Sequence, residues 1–411
     1  MWHVLILQLH LAQWGESCSA GRDEQMSTTL TQHAVEHWAV EVDRVHARLG
    51  THFARVEPRQ RVRSYLVGLL SSVERKNGWH LAEHAGERTP AGMQRVLSGA
   101  CWDADAVRDD LRTYVIEQLG DSEAVLVIDE TGFLKKGTKS VGVKRQYSGT
   151  AGRVENCQIG VFLAYAAPQG RAFLDRELDL PAEWAEDAVR RHDTGVPEAI
   201  LFQTKPQLAR QMLERALDAE VPAAWLTADE VYGGDRRLRR WLEDRQQPFV
   251  MAIKRNEPLW LGTDRGPQQL AAAAIAAAGA PDAWTRLSAG DGAKGPRLYD
   301  WARIAIRPLR ERGWEHWLLI RRNPHDPDDV AYYVCFAPVG TPLAALVRVA
   351  GTRWAIETCL EEAKGDVGLD QYEVRKWDGW YRHITLALLA PAMLMVIRAR
   401  AGEKGGVTAT T

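Results

Sequence analysis

Nowhere in the 411-residue chain are two cysteines spaced as Cys-x2-Cys. The five present (Cys18, Cys101, Cys157, Cys335, Cys359) are odd in number and scattered. That excludes a disulfide framework and a zinc-finger signature, and makes a reducing cytoplasm the expected setting. A global excess of positive charge is also missing. Lys and Arg number 52 against 54 Asp and Glu, for a net charge of −2 and a pI near 6.7. Any polyanionic partner must therefore be held by local patches, not by the overall field. The apolar run "ITLALLAPAMLMVI" at 384–397 contains Pro391 and is shorter than the ~20 residues a bilayer span needs. It reads as a buried helix, and no membrane association is expected. The opening "MWHVLILQLHLAQW" lacks the basic start and small-residue cleavage site of a signal peptide. Residues 1–25 read as a disordered tail or an overrun ahead of a second start at Met26. Internal repeats are absent, and the one low-complexity stretch is an alanine-rich helix at 270–279.

What remains is ordinary globular material, 45% hydrophobic and 26% charged, with 16 tryptophans that belong mostly in cores. From Met26 to about Gly120 the apolar spacing is helical, as in "EHWAVEVDRVHARLGTHF" and "PRQRVRSYLVGLLSSVERKNGW". "TPAGMQRVLSGACWDADAVRDDLRTYVIEQLG" reads as two further helices around a Gly-Ala turn, a loose likeness to a helix-turn-helix. Between Arg55 and Lys76 six basic residues face two acidic ones. Arg59, Arg61 and Arg63 are thus candidates for phosphate contacts, against the alternative of a solvated helical face. This segment, 26–120, is expected to be a helical DNA-binding domain.

From 121 the texture turns to strands: "EAVLVID", "NCQIGVFLAYAA" and "GRAFLDRELDLP". Helix, strand, helix and strand follow to about 255, an α/β order with a mixed sheet. Residues 256–345 break the alternation as a β-rich insertion, with the strands "LYDWARIAI", "EHWLLIRRN" and "VAYYVCFAP". Helix resumes over 346–400, and 401–411 is a tail.

Two apolar strands run into an aspartate: "VLVIDETGF" into Asp129 and "AAWLTADEVYGG" into Asp229. Carboxylates brought together at like ends of parallel strands repel unless one is protonated or a cation lies between them. Oxygen-only ligands favour Mg²⁺ or Mn²⁺. A third acid is offered by "RWAIETCLEEAKGDVGL". At about 100° per residue, Arg353, Glu357, Glu361 and Lys364 share one helix face, with Glu362 opposite. The competing reading makes Arg353 and Glu357 a surface i,i+4 pair. Beside Asp129, Lys135, Lys136, Lys139, Lys144, Arg145 and Arg153 form a run of cations unbroken by acids from Thr131 to Val154. They are candidates to guide a phosphate backbone. Tyr232 and Gly233 read as turn-shaping residues, and His383, Trp377, Trp380 and Tyr381 as packing.

"VIDETGFLKKGTKSVGVKRQYSGTAGRVENCQ", "TADEVYG" and "RWAIETCLEEAKGDVGLDQYEVRKWDGWYRHITLALLA" together resemble DDE transposases of bacterial insertion sequences, in the branch whose last motif is Arg-x3-Glu-x6-Lys. The resemblance runs from about Trp38 to Arg400. It implies an RNase H-like mixed-sheet core split by a β-rich insertion and preceded by a helical domain. It also implies a metal triad of Asp129, Asp229 and Glu357 holding two Mg²⁺ ions, with Mn²⁺ as a substitute. Arg353 and Lys364 would contact DNA phosphates. Where some relatives carry a tyrosine three residues before the arginine, this chain has Ala350. The implied activity is strand cleavage and strand transfer at the ends of an insertion sequence. The substrate would be duplex DNA, its terminal repeats and its target, bound by a homodimer in the cytoplasm at the nucleoid. The alternatives are a catalytically silent DNA-binding regulator and a structure-selective nuclease on the same fold.

Overall fold

The computed structural model describes residues 38–263, 266–279, 284–292, 295–307 and 312–405. The expected tail at 1–25 lies outside them, as does the end of the 401–411 tail. Five helices come first: α1 (38–49), α2 (Val56–Leu69), α3 (Gly78–His84), α4 (Ala91–Ser98) and α5 (Ala104–Leu119). Asn77 and Asp103 accept from backbone N–H groups of the first turns of α3 and α5, the usual role of a short polar residue at a helix start. The α4 and α5 pair matches the two helices expected around a Gly-Ala turn.

The strands are β1 (Val125–Leu134), β2 (Lys144–Ser148), β3 (Arg153–Ala167) and β4 (Gly170–Asp179). Two short helices, α6 (Ala182–Ala185) and α7 (Ala188–Thr194), lead to α8 (Lys205–Asp218). Then follow β5 (Trp225–Ala228), α9 (Glu230–Gly233), α10 (Arg236–Asp244) and β6 (Phe249–Ile253). β3 pairs antiparallel with β1 along one edge, and on the other with β2 and then β4. β5 is parallel to both β1 and β6. The order β4-β3-β1-β5-β6, antiparallel on one side of β1 and parallel on the other, is that of an RNase H-like core. β2 lies inside the basic run, where no strand was expected, because its residues alternate half-buried and exposed up to the buried Ser148, without an apolar face.

The insertion contains the hairpin β7 (Pro258–Thr263) and β8 (Gly266–Ala271), the helix α11 (Ala272–Ala278), and β9 (Thr285–Gly292), β10 (Gly295–Ile306), β11 (Trp314–Asn323) and β12 (Asp326–Pro338). β12 pairs with β6, so the last four strands continue the core sheet in the order β6-β12-β11-β10-β9. Backbone hydrogen bonds at the exposed edge of β6 make this continuation more favourable than a free-standing sheet with its own unpaired edges.

The chain closes with α12 (Leu343–Thr352), α13 (Trp354–Gly365) and α14 (Trp377–Gly405). A Cβ on Gly351 would lie 1.9 Å from the Ala289 carbonyl oxygen, so only glycine lets α12 rest on β9. α14 carries the apolar run. Its span 377–400 is long and apolar enough to cross a membrane, but 89% of the most apolar window is buried inside the protein. Tyr65 on α2 meets His383 on α14 at 2.7 Å, and Arg382 donates to the carbonyls of Leu97 and Trp102. The N-terminal helices therefore share one hydrophobic core with the sheet.

Candidate active site

The register of β1 against β5 decides where the acids meet. The parallel pairing ends at Ile128 and Ala228, so Asp129 and Asp229 are each the next residue. Asp129 is not at a strand tip as expected: β1 runs on to Leu134 against β3, and it is β5 that stops. Asp229 instead caps α9, its carboxylate accepting from Val231 N at 2.9 Å. Gly233 closes that turn, since a Cβ there would lie 1.9 Å from the Ala252 carbonyl oxygen.

Among the described residues, one carboxylate oxygen each from Asp129, Glu130 and Asp229 lie within 4.8 Å of one another. Burial, and after it the charge of Asp229, push the Asp129 carboxyl up to about 7. Burial, followed by the charge of Glu130, also raises Asp229. Oxygen donors this close suit a hard divalent cation, which would relieve the repulsion the cluster holds.

Glu130 is a member that sequence reasoning missed, although it stands next to Asp129 in the Asp-Glu-Thr stretch. One of its oxygens accepts from Lys205 at 2.6 Å and the other from the buried Tyr232 hydroxyl at 2.5 Å. Tyr232 thus does more than shape a turn. The only signal in the sequence was its place three residues after Asp229.

On the other side of β1, α13 lies across Asp129 and Thr131. Arg353, where α12 and α13 abut, is 3.5 Å from Asp129 Oδ2 and 2.6 Å from Glu357 Oε1. Eleven residues on, about three helical turns, Lys364 donates to the hydroxyls of Thr131 at 2.6 Å and Thr150 at 2.9 Å. Arg353 and Lys364 both engage the protein, and Glu357 is joined to Asp129 through the Arg353 guanidinium. Glu361 is exposed, and Glu362 pairs with Arg171 of β4 at 2.6 Å.

The basic run divides. Lys135 is half-buried, 3.4 Å over the Tyr372 ring, donates to the Tyr372 carbonyl, and is lowered to about 8 by burial. Lys144 pairs with Glu183 and Arg153 with Glu155. Lys136, Lys139 and Arg145 are exposed. In the N-terminal helices, Arg59 donates to the Phe53 carbonyl, Arg61 pairs with Glu87, and Arg63 with Asp43. His383 is fully buried, and Trp380 and Tyr381 are packed, as their sequence setting suggested.

A mixed sheet of this order with paired acids at the β1 and β5 seam defines an RNase H-like core with a candidate metal site. The chain belongs to the DDE superfamily endonuclease family, which it matches over residues 48–304. That span includes Asp129, Glu130 and Asp229 and ends before Glu357. The chain is also similar to the probable transposase for insertion sequence element IS701 from Microchaete diplosiphon, with 27% identity over 192 residues, 46% of this chain and 47% of the relative. It thus spans about half the length of the curated relative it matches.

Proposed function

We propose that the protein is a transposase that cuts DNA at the ends of an insertion sequence and joins them to target DNA. The observation that carries this reading is the register that brings Asp129 and Asp229 together with Glu130. In this reading Asp129, Asp229 and Glu357 would hold two Mg²⁺ ions, or Mn²⁺ in their place, with Glu357, outside the Asp129–Glu130–Asp229 cluster, joined to it through Arg353. Bound there, such a pair would acidify an attacking water or 3′-hydroxyl and steady the leaving oxygen. The chain's own residues do the rest. Asp229 is fixed by its N-cap bond, so its free oxygen keeps one direction. Glu130 is aimed by Lys205 and Tyr232. Arg353, which balances Asp129 and Glu357 in the protein alone, turns to a DNA phosphate when those acids take a cation. Lys364 holds α13 on β1 and meets the same strand, and exposed Lys136, Lys139 and Arg145 draw in the backbone. Arg59, Arg61 and Arg63 contact DNA only by exchanging their present partners. The substrate is duplex DNA bearing the terminal repeats, the assembly a homodimer formed on it, and the place of action the nucleoid.

The test is strand cleavage of a duplex carrying the element's end, with Mg²⁺, Mn²⁺, Ca²⁺ or EDTA, by the wild type and Asp229→Asn. Cleavage should need Mg²⁺ or Mn²⁺ and be lost in the variant. Cleavage in EDTA, or by the variant, would remove the metal mechanism. Tight end binding without cutting under any metal would favour the silent regulator instead.

A further inference from the structure

Between α10 and the insertion lies a cavity of about 320 Å³ that the site above does not use. It is lined by Arg236, Arg239 and Arg240 of α10, Trp260 of β7, Arg307 and His316, with Glu243 as its acid. Two of its walls carry buried polar atoms without a hydrogen-bond partner. Arg239 is 7% exposed; its Nη2 donates to Glu257 at 2.9 Å, while Nη1 has no acceptor. His316 is 4% exposed; its Nε2 meets Glu243 at 2.9 Å, while Nδ1 has no partner. Leaving a buried charged donor unmatched costs free energy, and an oxygen-rich anion would recover it. Arg307 also spends its guanidinium on Glu243, at 3.1 Å. Arg236 and Arg240 stand largely exposed at the mouth, Arg236 3.9 Å from Glu257 and Arg240 3.0 Å from Asp244, and with Arg239 they form the cationic wall. Trp260, 47% exposed, adds a flat apolar wall of the kind a sugar or base packs on.

We propose that this cavity binds a phosphodiester group of a DNA strand, with Arg239 Nη1 as the buried donor and Trp260 against the adjoining nucleoside. The insertion would then contribute to DNA binding through a pocket built jointly with the core. This rests on the DNA-substrate reading above.

The experiment is binding of a fluorescein-labelled random-sequence duplex in EDTA across a salt series, by the wild type, Arg239→Gln, Arg236→Ala/Arg240→Ala and Trp260→Ala. For every phosphate that a variant no longer neutralises, the log–log salt slope should fall by about 0.9. The two arginine variants should therefore show a shallower slope and several-fold weaker binding at low salt. Trp260→Ala should weaken binding with the slope unchanged. The double arginine variant and Trp260→Ala alter exposed side chains, so they answer even if Arg239→Gln fails to fold. Wild-type slope and affinity in both surface variants overturn the proposal while leaving the DNA-substrate reading intact. A wild type that does not bind duplex at all overturns both. A parallel thermal melt with inorganic phosphate or dAMP separates the sources. Stabilisation of the wild type by either, with no change in duplex binding among the variants, assigns the pocket to a small phosphate and overturns the DNA assignment.

Discussion

Asp229→Asn should leave the metal-free protein at least as stable as the wild type, and abolish its stabilisation by Mg²⁺. Asn keeps the acceptor that caps α9, so the bond from Val231 N is retained. What it removes is charge beside Asp129. That carboxyl is pushed from an ordinary 3.8 up to about 7, first by burial and second by Asp229. The whole shift corresponds to roughly 4 kcal/mol at about 1.4 kcal/mol per pH unit, and the Asp229 share to on the order of 1 kcal/mol. The sign follows from which state holds the proton. Folded Asp129 binds it more tightly than the unfolded chain does, so the penalty is full above about pH 7 and fades as pH falls toward 4. In EDTA the variant should melt up to about 2 °C higher at pH 8 and equal to the wild type near pH 5. Added Mg²⁺ at about 100 times its dissociation constant should stabilise the wild type by about 2.7 kcal/mol. The variant should gain little. A variant that melts lower than the wild type at pH 8 in EDTA, or that keeps the Mg²⁺ shift, refutes the reasoning.

Arg353→Gln removes the cation that joins Asp129 to Glu357. Calorimetry should then show tighter Mn²⁺ binding without DNA; weaker binding would make Arg353 an organiser of the ligands instead of their counterion. Asp175 is buried and holds Arg215 at 2.8 Å and Arg108 at 3.3 Å. Asp175→Ala should cost about 2–3 kcal/mol in denaturant unfolding, since it removes the buried acceptor that Arg108 and Arg215 share and leaves Arg108 with Asp109 and Arg215 with Glu177, and a loss below about 1 kcal/mol would show that water reaches the network. His383 is held near 3 by burial, its Nε2 facing the Leu369 carbonyl and its Nδ1 the Tyr65 hydroxyl. The unfolded chain takes up a proton below 6.5 that the folded ring refuses. Stability should therefore fall by up to about 1.4 kcal/mol per unit from pH 6.5 toward 3, and less steeply in His383→Gln.

Several features were legible from the chain alone because they depend on local chemistry. Apolar runs leading into Asp129 and Asp229, the first of them mostly β-branched, read as buried strands meeting an acid. The helical spacing from Trp38 to Leu119 follows from side-chain periodicity. The span 384–397 declared itself a core helix by its length. The charges of single residues were visible too, but their partners were not. Lys135 and Lys136 are neighbours of the same kind, yet one lies over the Tyr372 ring and the other is in water. Tyr372 is more than two hundred residues away, and nothing local distinguishes the two lysines. Glu130 joins the acid cluster because β5 ends at Ala228, a fact about β1's neighbour and not about β1. Arg353 and Glu357 are an i,i+4 pair on any helical wheel. Only the packing of α13 across β1 brings Asp129 to the same guanidinium and turns a surface motif into part of the site. Period and burial are written in neighbouring residues. Register, strand ends and ion-pair partners are settled by contacts between segments far apart in sequence, so they appear only when the sheet is assembled.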